Sequence, residues 1–172
     1  LVDTNAAWSR IFDFGSGTGT YMFLAPQSGG NTLRYAITIN GNGNEQQINS
    51  SAVLSSGIWH HVAVTLTNTT GILYVDGVAV GTNSSMTLTP SSLGSTTQNY
   101  IGKSQFADPN LTGALDDFRI YNRSLSAAEV ATLAAAGLPS PWADTDIGGV
   151  GLSGTAVYTN STYTIQAAGT NI

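Results

Sequence analysis

Cysteine is missing from this 172-residue chain, and charge is scarce: Asp, Glu, Lys and Arg together make up 9% of it, against a usual share of roughly a quarter. Without cysteine there can be neither a disulfide framework nor a thiolate metal site. Stability must then come from packing, hydrogen bonds or a hard cation held through oxygen. Lysine occurs once, at position 103, and the formal net charge is −5. So few cations cannot neutralise a run of phosphates, which excludes nucleic acid as a partner. The chain holds no apolar run near the ~20 residues of a membrane span. Leu1 opens no signal peptide, so export is expected to be encoded upstream. The only histidines, His60 and His61, are adjacent. Neighbours on a strand diverge and zinc needs at least three protein ligands, so a zinc site is not expected.

What is present is a 41% hydrophobic content, enough for one packed core, under a skin of Ser, Thr, Asn, Gln and Gly. The dominant pattern is period-two alternation punctuated by turns, the signature of strands with one buried face. "WSRIFDFG" (8 to 15) sets Ile11 and Asp13 against Phe12 and Phe14. "TYMFLAP" (20 to 26) and "LRYAITIN" (33 to 40) follow. "IWHHVAVTL" (58 to 66) presents His60, Val62, Val64 and Leu66 to the core. "ILYVDGVAVG" (72 to 81) is a hairpin in which Asp76-Gly77 supplies the positive φ angles of a tight turn. "QNYIGKS" (98 to 104) and "GALDDFRIYN" (113 to 122) complete the series. The reading is an all-β antiparallel sandwich, or jelly roll.

One helix is predicted. Ser126 and Glu129 form a capping box, alanines run to Ala136, and Gly137 suits the left-handed cap. At about three turns it needs to dock, through Val130 and Leu133, on a sheet edge. Three segments follow from this pass: residues 1–137 as the sandwich, 138–154 as a Pro- and Gly-rich linker, and 155–172 as a hairpin. That hairpin either packs on the first unit or opens a second β domain.

The motifs "SGIWHHVAVT", "GILYVDGVAVG", "NYIGKS" and "LTGALDDFRIYNRSLSAAEVATL" occur in an order that resembles the laminin-G-like jelly rolls of the concanavalin A-like lectin/glucanase superfamily. The chain looks most like the bacterial variety carried as accessory modules on secreted, multi-domain polysaccharide-degrading enzymes and surface proteins. The resemblance covers residues 8 to 137. Members usually begin with a further apolar strand, for which only "LVDTNAA" stands here, so one or more front strands are expected to be absent. An incomplete sheet is a template for strand addition by another chain.

The adjacent acids Asp116 and Asp117 have two readings. They anchor a loop through backbone N–H groups or through Arg119 or Arg123, or they contribute to an oxygen cage for a structural Ca²⁺. Family resemblance supports the cation; Asp13, Asp108 and Asn110, on a loop or strand end that could approach, are weaker candidate ligands. Sugar recognition needs an aromatic ring against a pyranose and polar groups on its hydroxyls. Trp8, Tyr21, Arg34, Tyr35 and Tyr100 are the candidates. Catalysis is not expected. Neither glutamate, Glu45 nor Glu129, lies in the E-x-D-x-x-E strand motif of the family's glucanases, and Asp116 and Asp117 would point to opposite faces of a strand. Sequons start at Asn49, Asn68, Asn83, Asn110, Asn122 and Asn160, and a Ser/Thr/Asn-rich composition produces such triplets by chance.

The resulting expectation is a non-catalytic, lectin-like module of a secreted or cell-surface bacterial protein. Its partners would be a polysaccharide or glycan and the other domains of its parent chain. The alternative is a structural or adhesive module making protein contacts.

Overall fold

The computed structural model describes residues 1–135, 155–159 and 162–166. Ten strands and one α-helix occur between Val2 and Ala135. Strands β2 (Phe12–Gly15), β3 (Tyr21–Ala25), β4 (Arg34–Thr38), β5 (Gln46–Asn49) and β9 (Gln98–Ile101) form a five-stranded antiparallel sheet in the order β5-β4-β3-β2-β9. Strands β6 (Val62–Thr67), β7 (Thr70–Val75) and β8 (Val78–Asn83) form a three-stranded antiparallel sheet.

The two sheets face each other. Leu24, Tyr35, Ile37 and Ile48 of the larger sheet share a core with Leu73 of β7 and with Met86, and Val62, Val64, Leu66, Val75 and Val80 of the smaller sheet pack against it. The facing residues alternate along each strand, as a pleated sheet with one buried face requires. At closest approach there is no room for a side chain. A Cβ on Gly81 of β8 would lie 2.4 Å from the Asn49 carbonyl oxygen of β5.

The Asp76-Gly77 turn forms as read, with φ of 51° and 80°, between β7 and β8. The helix α1 (Ala127–Ala135) begins at the predicted box: the Ser126 amide donates to Glu129 Oε2 at 2.8 Å and the Glu129 amide to Ser126 Oγ at 3.3 Å. Val130 is fully buried. The helix rests on the β7–β8 turn, where a Cβ on Gly77 would meet the Ala131 Cα at 3.0 Å. Residues Gly137 and 138–154 lie outside the described residues. Thr155–Thr159 (β11) and Thr162–Gln166 (β12) pair as an antiparallel hairpin.

Three expectations need correction. "GALDDFRIYN" does not run as a strand: Thr112–Gly113 (β10) pairs with Val2–Thr4 (β1), and the chain from Ala114 to Asn122 leaves the sheet. Asp117 takes a left-handed φ of 52° and its carboxylate turns back to Arg119 at 2.7 Å, a local bond that competes with extended pairing. The opening residues do hold a short strand, β1, and the Leu1 amine donates to the Ala114 carbonyl at 3.0 Å. Finally, Ile11 and Phe12 both pack on the core while Asp13 lies on the opposite face, so the alternation slips by one at the entry to β2.

Candidate functional site

The second face of the five-stranded sheet carries the site. There Tyr21, Phe23, Ala25 and Ala36 form a smaller apolar cluster, with Trp8 and Phe106 packed against it. Tyr21 stacks on Phe23 with ring centres 5.9 Å apart and meets Phe106 edge to face at 5.5 Å. Over this floor opens a cleft of about 430 Å³, within the range of small-ligand sites, walled by Trp8, Arg10, Arg34, Glu45, Gln47 and Asp108, with Asn42 and Gly43 at the loop that closes one end.

Burial and pairing set the electrostatics. Arg10 and Asp13 are both buried, and Arg10 Nε lies 3.5 Å from Asp13 Oδ2. Arg10 also donates to the Trp8 carbonyl at 2.5 Å and to Asp108 Oδ2 at 3.1 Å, and its guanidinium lies 3.9 Å from the Phe23 ring centre. Burial pushes the Asp13 carboxyl above the usual range, against the opposing pull of Gln105, Arg10 and Ser104. Gln105 donates to it from its amide (3.1 Å) and its side chain (2.8 Å). Asp108 further accepts from Ser104 Oγ at 2.9 Å. At the other end Tyr21 donates its hydroxyl to Glu45 at 2.6 Å, and Gln47 donates to the same carboxylate at 3.1 Å. Burial and the Glu45 charge raise the Tyr21 phenol, which stays protonated.

Trp8 is the unusual residue. Its φ is 67°, a conformation that a bulky side chain rarely takes, and its amide is held by the Gln27 carbonyl at 2.8 Å. The ring lies 5.7 Å from the Arg10 guanidinium and 5.3 Å from that of Arg34, and it abuts Gly29, where a Cβ would come within 3.0 Å.

Of the five residues predicted to meet a ligand, Trp8, Tyr21 and Arg34 line this cleft. Tyr35 does not: it points between the sheets, is 2% exposed and donates to Met22 Sδ at 3.8 Å. Tyr100 lies on β9 opposite Asp13, with Lys103 Nζ 4.7 Å from its ring centre, and is not part of the cleft wall. Arg10, Gln47 and Phe106 went unread in the sequence. The slip at Ile11 hides which side Arg10 takes, and Phe106 arrives from a loop distant in sequence.

The predicted metal set is not gathered. Asp13 is buried in the network under the cleft, whereas Asp116 and Asp117 are exposed beyond β10. Asp116 accepts from the Asp117 amide at 2.8 Å, the local anchoring that one of the two readings anticipated. Among the described residues no three His, Asp or Glu side chains converge, so these do not fit a three-carboxylate cage.

Elsewhere, Ser55 Oγ lies 2.6 Å from His60 Nε2, and His60 Nδ1 lies 2.7 Å from Asp76 Oδ2. The order matches a nucleophile relay, but the cleft at Trp8 includes none of the three. Asp76 also accepts from the His61 amide at 2.9 Å, so the trio ties the approach to β6 onto the β7–β8 turn.

Comparison with known proteins follows the fold. The comparison with curated proteins finds no match. Among solved structures, the chain is similar to a crystal structure of an S-layer domain-containing protein from Clostridium thermocellum, with 39% identity over 78% of this chain and 67% of that one, at a TM-score of 0.44. The Laminin_G_3 family profile, described as the concanavalin A-like lectin/glucanases superfamily, matches residues 2–131. With most of its length under that match and two facing antiparallel sheets beneath it, the chain belongs to the Laminin_G_3 family of the concanavalin A-like lectin/glucanases superfamily.

Proposed function

We propose that the chain is a non-catalytic carbohydrate-binding module of a larger secreted or cell-surface protein, and that sugar binds in the cleft at Trp8. The observation that carries this reading is Trp8 itself: a partly exposed indole, held on a costly left-handed backbone, at the wall of a polar cleft. Strain of that kind persists where the surroundings over-determine it, and it concentrates at ligand sites. An indole offers apolar contact to a pyranose. Arg34, Asn42, Glu45 and Gln47 offer donors and acceptors for its hydroxyls.

The test is titration of the chain with neutral and acidic oligosaccharides. Binding at micromolar to millimolar affinity is expected, and Trp8→Ala should weaken it about tenfold, as expected for the loss of one aromatic contact and its buried area. Absence of binding across such a panel would overturn the reading.

The cleft brings together two carboxylates, Glu45 and Asp108, so hydrolysis is the rival activity to exclude. Asp108 is engaged by Arg10 and by Ser104. Release of reducing ends from the same oligosaccharides, abolished in Glu45→Gln, would refute the non-catalytic assignment.

A structural or adhesive role is favoured by a different observation. Leu115, Phe118, Ile120 and Tyr121, on the segment that leaves β10, are exposed, Ile120 by 74%. Contiguous apolar exposure of this kind marks contact surfaces. Silent titrations together with concentration-dependent self-association would favour that role.

A further inference from the structure

We propose that the cleft selects glycans that carry a carboxylate, a uronic acid residue, and that Arg34 is the side chain that reads it; this rests on the carbohydrate reading above. The chain has five cationic side chains. Arg10 is paired with Asp13 and Asp108, Arg119 with Asp117, and Arg123 with Glu129, while Lys103 lies over Tyr100. Arg34 has no carboxylate partner among the described residues. Its Nε donates to Asn49 Oδ1 at 2.7 Å, which orients the guanidinium plane. Its two terminal nitrogens have no protein acceptor among the described residues.

That arrangement leaves the part of the side chain that forms a two-pronged bond to a carboxylate available at the cleft wall. The cleft acids are engaged elsewhere: Asp108 pairs with Arg10, and Glu45 accepts from Tyr21 and Gln47. The cleft therefore presents a guanidinium without a carboxylate partner among the described residues beside Trp8 and hydrogen-bonding groups beyond it. A uronic acid fits both parts: its carboxylate on Arg34 and its ring hydroxyls on the amides and on Glu45. The net charge of −5 opposes long polyanions, so short acidic oligosaccharides are the better ligands.

Calorimetric titration with trigalacturonate, with its methyl ester and with a neutral trisaccharide tests the proposal. The ester keeps the rings and removes the charge. The acid should bind at least tenfold more tightly than the ester, and rising salt should weaken the acid selectively. Arg34→Gln should bring the acid down to the level of the ester, and Arg34→Lys should keep part of the preference. Thermal melting of both variants checks that they fold. Equal binding of acid and ester, or a preference that survives Arg34→Gln in a folded variant, overturns the selectivity and leaves the carbohydrate reading standing. Failure of all three sugars to bind overturns both.

Discussion

At the scale of single residues, the cleft depends on a buried charged cluster beneath it. Asp13 is fully buried and holds Arg10, Gln105 and Ser104. Removing one member of a buried pair leaves the other charged and unsolvated, which costs more than the pair itself contributes. Asp13→Ala should lower unfolding stability by roughly 3 kcal/mol or more, read from urea denaturation, and should loosen the 104–108 loop that brings Phe106 and Asp108 to the cleft. His61 gives a pH dependence. Burial lowers its pKa below 6.5, outweighing the attraction of Asp76 and Asp117, and its Nδ1 is buried with no hydrogen-bond partner among the described residues. The unfolded chain therefore binds the proton more readily than the folded one, and His61 subtracts stability as pH falls from 6.5 toward its lower folded value. Urea midpoints measured between pH 7 and pH 5 should fall more steeply for the wild type than for His61→Gln.

At the scale of elements, the helix and the β7–β8 hairpin brace each other. The capping box starts α1, and the Arg123 side chain binds Glu129 at 2.6 Å, helping to draw that carboxyl down to about 2. Val130 enters the core and Ala131 sits on Gly77, which has a φ of 80°. A Cβ there is disfavoured twice, by the left-handed backbone and by the helix. Gly77→Ala should cost about 1–2 kcal/mol, visible as a lower melting midpoint. The turn and the box could be read directly because each is a local motif whose residue types meet a local geometric demand. The segment from Ala114 to Asn122 could not. Its alternation suits a strand, yet a strand needs an unpaired neighbour, and which neighbours remain is settled by the whole sheet.

At the scale of the molecule, scarcity of charge places most acid–base pairs where they can be traced one by one, and Arg34 stands out among the arginines because the other three pair with carboxylates among the described residues. Ca²⁺ is a proposal at this scale too, at Asp116 and Asp117 with carbonyl oxygens to complete its shell. A cation bound only by the folded chain raises the melting midpoint with the logarithm of its concentration, so CaCl₂ should raise the midpoint and EDTA lower it. An unchanged midpoint removes the ion.

The sequence by itself determined most of the strands, the Asp76-Gly77 turn and the helix start, because periodicity and capping are properties of neighbouring residues, and the order of its motifs carried the family resemblance. Trp8, Tyr21 and Arg34 were also legible as aromatic or cationic side chains suited to sugar. Only the tertiary structure decided which of the candidates meet. Tyr35 differs from Arg34 by one position on β4, and the pleat sends one into the core and the other into the cleft. The slip at Ile11 put Arg10 and Asp13 together beneath Trp8. Phe106 and Asp108 joined them because Gln105 and Ser104 bond to a carboxylate more than 90 positions earlier. Faces and long-range pairings arise from how sheets stack, and no stretch of neighbouring residues contains them.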